Sequence, residues 1–253
     1  MSTITAPVLR TGLLVRHNLL LRLRDPSQII SYVAMPIVLM MVLKPLYVEA
    51  LDTGTVQAVT GPMVMFSVFA LSIVGNSIMV EREWRTWDRL RVTRAGRTEL
   101  LLGKTLPAFL ILLFQQTVVL AVGSVALGLE LPPTLGLLAL AIAIWGFTLL
   151  CLGAALATVA RSRGDLSVAA DLGAIGVSAL GGALVPVSLM PGWAQVIAPI
   201  SPGYWAMSLI QSALAGDGAA MVRPGLVCLA IGLAFGAFAT YRLARGWGRS
   251  RLL

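Results

Sequence analysis

The chain has 253 residues, 58% hydrophobic and 12% charged, with a mean hydropathy of +0.89; soluble domains average roughly 45–50% apolar and about 25% charged residues, so this composition implies an integral membrane protein. A net charge of +8 and a pI of about 10.5 would suit a nucleic-acid partner in a soluble protein, but in a membrane protein the positive-inside rule accounts for it, and no nucleic acid is expected. The cysteines, Cys151 and Cys228, lie in apolar runs without metal-ligand spacing, and the single histidine, His17, offers neither a triad nor a metal site.

Residues 1–26 are broken by Arg10, Arg16, Arg22 and Arg24, so they do not read as a signal peptide. Leu13, Leu14, His17, Leu20 and Leu21 recur at helical spacing, which predicts an interfacial amphipathic helix. Asp25-Pro26 ends it, because a residue before proline is pushed out of the α region.

A helix needs roughly 20 apolar residues to cross about 30 Å of hydrocarbon. Six runs meet that length, at residues 27–46, 61–80, 105–129, 134–160, 166–187 and 224–243. Their polar residues are few: Asn76, Gln115, Gln116, Asp171, Gln57 at an outer edge, and scattered Ser and Thr. An acid at the bilayer centre costs on the order of 3 kcal/mol, which makes Asp171 a candidate for a substrate pathway; pairing with Arg161 or Arg163 near the helix end is the structural alternative. Gln115 and Gln116 suit either a pathway or hydrogen bonds between helices. The glycines of "GLAFG", Gly232 and Gly236, allow close helix approach within the bundle or between subunits.

Residues 81–104, "EREWRTWDRLRVTRAGRTELLLGK", carry seven of the chain's 19 basic residues. The tail "GRTELLLGKT" half imitates a phosphate-binding loop, but six residues separate Gly96 from Gly103-Lys104 where that loop has four, and no ATP site is expected. Residues 188–221 hold Pro191, Pro199 and Pro202, which break the apolar pieces into units too short to cross. They read as a re-entrant helical hairpin, or as an interfacial loop lying flat. With the N-terminus in the cytoplasm, 17 of the 19 basic residues fall on the inner side, leaving Lys44 and Arg223 outside. That asymmetry predicts six spans with both termini cytoplasmic in the cell membrane.

"EREWRTWDRLRVTRAGRTELLLGK" resembles the cytoplasmic loop of ABC-2 type exporter permeases, in particular the daunorubicin-type drug-exporter branch. Glu81, Arg82, Glu83, Thr86, Leu90, Val92, Thr93, Arg97 and Leu100 to Lys104 fit the pattern, which departs at Arg85, Trp87 and Asp88. Pro199, Ser201 and Pro202 are similar to the family's Pro-x-Ser-Pro region. The resemblance implies a single all-α transmembrane domain over residues 1–253 that exports an amphipathic drug-like or lipid substrate. ATP and Mg would sit on a separate ATPase present in two copies, so the chain itself would be a transport subunit and no enzyme. It implies pairing as a homodimer or with a second permease, in contact with membrane lipids. Glu81, Arg82, Glu83, Trp84, Thr86, Trp87, Arg89, Leu90 and Arg91 would then form a coupling helix seated on the ATPase. Helical spacing puts Trp84 and Trp87 on one face, with Leu90 nearby. A basic loop that holds anionic lipids is the bland alternative. Two rival functions are an ion-gradient-driven secondary transporter, which would call for more buried carboxylates than Asp171 alone, and a non-transporting docking or immunity protein.

Overall fold

The computed structural model describes residues 5–24, 27–83 and 97–244, and every regular element among them is a helix. In chain order these are α1 (Thr5–Arg24), α2 (Ser27–Ala50), α3 (Gly54–Val68), α4 (Ala70–Glu83), α5 (Arg97–Leu127), α6 (Leu135–Val159) and α7 (Arg163–Leu180). There follow a 3-10 turn (Val187–Leu189), α8 (Gly192–Ile197), a second 3-10 turn (Ala198–Ile200), α9 (Pro202–Leu214) and α10 (Gly218–Ala244).

Five helical stretches are long and apolar enough to cross a bilayer: Ile30–Ala50, Gly54–Val80, Thr105–Leu127, Leu135–Val159 and Gly218–Leu243. They overlap the first, second, third, fourth and sixth expected spans. The expected span over 166–187 takes the form of α7, which has 18 residues, carries Arg163, Asp165 and Asp171 in its first half, and stops at Leu180. At 1.5 Å per residue it is roughly 27 Å long. Its start is fixed locally: the Ser162 hydroxyl accepts the Asp165 backbone N–H (3.1 Å), the usual work of an N-cap. Its end is fixed by Gly182, whose φ of 86° lies in the left-handed region that favours glycine.

The helices alternate in direction, giving the bundle two ends. At the upper end α2 turns into α3 through residues 51–53, α5 meets α6, and α9 meets α10. The Lys44 ammonium donates to the Leu127 carbonyl (2.9 Å), placing a cation on the negative end of the α5 dipole. At the lower end the Arg242 guanidinium donates to the Thr158 carbonyl (3.0 Å) in the last turn of α6. There too Asn18 of α1 donates to the Gly103 carbonyl of α5 (3.0 Å).

The core is filled by Met40, Met63, Val64, Leu112, Trp145, Leu149, Leu209 and Ile210, all buried. The Trp145 indole N–H donates to the Ser67 hydroxyl (2.7 Å), which in turn donates to the Val64 carbonyl (2.6 Å), so the ring's one polar atom is satisfied. α10 lies closely along α6: a Cβ on Gly232 would come within 2.9 Å of Phe147, and one on Gly236 within 3.0 Å of the Cys151 sulfur. The Thr148 hydroxyl reaches the Cys228 carbonyl across that contact (2.9 Å). The glycine pair therefore serves packing within this chain.

Between α3 and α4 the helix is interrupted at Phe69, where a tight bond from the Ser72 N–H to the Phe69 carbonyl (3.1 Å) replaces the regular ladder. Outside, large apolar side chains are exposed, among them Met35, Val38, Val42 and Leu46 on α2, Leu172 on α7, and Leu226 and Leu233 on α10. A surface of that kind suits lipid or another apolar partner rather than water.

Candidate functional site

Glu81, Arg82 and Glu83 are the last three residues of α4. Trp84, Thr86, Trp87, Arg89, Leu90 and Arg91 lie outside the described residues. The chain is helical again from Arg97, so residues 97–104 form about two turns ahead of the apolar stretch that starts at Thr105. α1 is docked against these turns: Leu14 lies where a Cβ on Gly103 would be (2.8 Å). Leu13, Leu20 and Leu21, on the expected apolar stripe of α1, are exposed, as is His17.

The four polar candidates inside the spans are spread over three helices. Gln115 is buried and donates to the Tyr32 carbonyl (3.0 Å), tying α5 to α2. Gln116 is buried beside it and donates weakly to the Met63 carbonyl (3.4 Å), while its amide oxygen has no partner among the described residues. Asn76 is half-buried on α4, and Asp171 is exposed on α7. None of the four lines either cavity described below.

The proline segment is built from local rules and one long-range pin. Pro191 precedes the six-residue α8, Pro199 lies in the second 3-10 turn, and Pro202 occupies the first position of α9, where its missing N–H costs nothing. Ser201 caps α9 by accepting the Gly203 N–H (3.2 Å), and its hydroxyl donates to the Val177 carbonyl in the last turn of α7 (2.8 Å). α7 and α9 approach so closely here that a Cβ on Gly203 would collide with that same carbonyl. Arg223 covers the outer face of Trp205, 5.5 Å from the ring centroid, and the Trp205 indole donates to the Pro199 carbonyl (2.8 Å). Beside this segment Gly173, Gly176, Leu180, Ile197 and Ile200 line an apolar groove of about 460 Å³.

A polar cluster at the upper end was not evident from sequence. The Gln57 side chain is buried and donates to the Gly182 carbonyl (2.8 Å) and, at longer range, to the Ala183 carbonyl (3.4 Å). Gln211 of α9 donates to the Gln57 amide oxygen (3.0 Å) and to the Thr60 hydroxyl (3.2 Å). The Tyr47 hydroxyl donates to the Leu184 carbonyl. Together these bonds fasten α2, α3 and α9 to the turn that follows α7. The only available signal was a lone glutamine near the end of each of two apolar segments, since polar groups in such places have to find partners.

Among the described residues no group of three or more His, Cys, Asp and Glu could hold a metal ion. A family model described as ABC-2 type transporter matches residues 10–215. Two curated relatives match as well, each named "Probable multidrug ABC transporter permease YbhR", one from Escherichia coli K12 and one from Escherichia coli O157:H7. Each is 28% identical over 139 residues, which is 54% of this chain and 38% of the relative. The match thus spans well under half the length of these relatives.

Proposed function

Since the chain belongs to the ABC-2 type transporter family, we propose that it is the membrane-spanning permease subunit of an ATP-binding-cassette exporter. It moves an amphipathic drug-like or lipid substrate across the cytoplasmic membrane, using ATP hydrolysed on a separate subunit present in two copies. The family match across residues 10–215 carries this reading, and the relatives' name, a multidrug permease, supports the drug-like substrate class. In the proposal α7 is the sixth crossing, added to the five long apolar helices, and the lower end faces the cytoplasm. The segregation of 17 of 19 basic residues to that side supports the orientation. The exposed leucines of α1 then rest in the inner headgroup region.

Glu81 to Arg91 form the seat for the ATPase, with Trp84 and Trp87 as the aromatic anchor and the surrounding charges fixing orientation. Asp171, exposed on α7, is the residue assigned to the substrate path and to contact with a second permease. Gln115 and Gln116 are assigned to holding helices together, because their amides are turned into the core.

The test is co-purification with a candidate partner ATPase of the ATP-binding-cassette type, followed by reconstitution. Trp84→Ala combined with Trp87→Ala should abolish co-purification and lower substrate-stimulated ATP hydrolysis at least about tenfold, the loss of roughly 1.4 kcal/mol or more of coupling. Unchanged co-purification overturns the coupling assignment. ATP hydrolysis by the purified permease alone overturns the division of labour.

A further inference from the structure

At the upper end, between the α2–α3 turn and the start of α9, the protomer contains a cavity of about 300 Å³. Its polar lining comes from Thr53, Gln57, Ser188, Tyr204, Ser208 and Gln211, and among the described residues no acidic or basic one lines it. Thr53 and Ser188 are exposed, so the cavity opens at the surface, while the buried Gln57 forms its floor. That size falls at the lower limit of small-molecule sites.

The geometry points to a binding site for an uncharged, hydroxyl-bearing ring of the glycoside type. Gln57 is fixed as wall: its N–H groups are held by the carbonyls of residues 182 and 183, and its oxygen by Gln211. Gln211 has its amide nitrogen engaged by Gln57 and Thr60. The hydroxyls of Tyr204 and Ser208 have no partner among the described residues, and hydroxyl groups both donate and accept. Such ambivalent groups on several sides of a small cavity match the vicinal hydroxyls of a sugar ring.

The remaining walls agree. Tyr204 is braced edge-on against Trp205, with centroids 5.1 Å apart and an interplanar angle of 90°. With Met207 it provides the apolar surface against which the C–H face of a ring packs. Charged ligands are disfavoured, because no lining residue compensates an ion taken out of water. The Gly182 turn and the amide bonds hold the walls before any ligand arrives, so little ordering is needed on binding. This inference goes beyond the transport reading and does not require ATP, a second permease or the loop at 81–104.

The full-length chain, purified in a sugar-free amine-oxide detergent, is titrated calorimetrically with methyl β-D-glucoside and, separately, with octyl β-D-glucoside. Saturable binding is expected, with a dissociation constant on the order of 1 mM for the free ring. Ser208→Val and Gln211→Leu should each weaken it about tenfold, and Tyr204→Phe about threefold, the range expected when one hydrogen bond is lost. Glucuronate and protonated glucosamine should bind at least about tenfold more weakly than the neutral ring. Tighter binding of the octyl glycoside assigns the ring to a lipid headgroup, and equal binding of the two to a free molecule. Heat that never saturates, an affinity shared by all three variants, or equal binding of the charged rings would overturn the site. If Gln211→Leu does not fold, Tyr204→Phe and Ser208→Val still decide, since neither belongs to the Gln57 network. A protein that binds the ring yet fails in ATP-driven transport would count against the transport reading alone.

Discussion

At the upper end of the bundle, neutral groups hold together elements far apart in sequence: Gln57 reaches residues 182 and 211, Ser201 reaches Val177, and Tyr47 reaches Leu184. At the lower end, among the described residues, the exposed Arg242 guanidinium holds the last turn of α6 and the Asn18 amide holds α5. The upper end is thereby cross-tied, since moving α3 or α9 breaks bonds to two other elements. The lower end, where α4 leads into the charged segment 81–104, instead sets a guanidinium on a helix end, a bond of the surface cation-to-dipole kind.

Five substitutions probe that contrast. The largest effect is expected from Gly203→Ala, because the added methyl collides with the Val177 carbonyl; overpacking of this kind costs about 3 kcal/mol and should lower the melting temperature in detergent by several degrees. Gln57→Leu comes next, at about 2 kcal/mol, because it removes the buried donor to the Gly182 carbonyl and leaves the Gln211 amide with Thr60 alone. Trp145→Phe, in the middle of the bundle, removes the bond to Ser67 and should cost about 1 kcal/mol by the same measurement. Arg242→Gln at the lower end should cost about 0.5 kcal/mol, the worth of a cation at a helix C-terminus. If Arg242→Gln proves more damaging than Gln57→Leu, the contrast between the ends is reversed. Asp171→Asn, an exposed change, should shift stability by less than about 0.5 kcal/mol. A fall in transport without a shift in melting would place Asp171 on the substrate path, whereas unaltered transport would remove it.

Features governed by local rules were legible in the sequence. Apolar runs of sufficient length located the five long helices, and Ser201-Pro202 reads directly as a cap followed by a first-turn proline. The end of α7 was harder to read, because the run from 166 to 187 is apolar throughout its second half while the helix stops at Leu180. What stops it is partly Gly182 and partly the packing of α9, whose Ser201 takes the Val177 carbonyl from 24 residues away. The Gln57–Gln211 pair was illegible for the same reason, its members being 154 residues apart. Neither residue has a local pattern; only folding brings their amides together. Gln115 and Gln116 show the opposite case: the sequence marked them as polar residues in a span, but only the structure turns them into the core.

The interruption at Phe69 has a mechanical consequence. An unbroken helix from Gly54 to Glu83 would behave as a single stiff rod, carrying any twist applied at Glu83 undiminished to Gln57. With the ladder broken at Phe69, stiffness is confined to two shorter lengths, of 15 and 14 residues, and bending concentrates at the joint between them. A tug on the lower segment is therefore spent largely as rotation about Phe69. The upper segment, with Gln57 bonded into its surroundings, stays in place as the fixed arm of that joint.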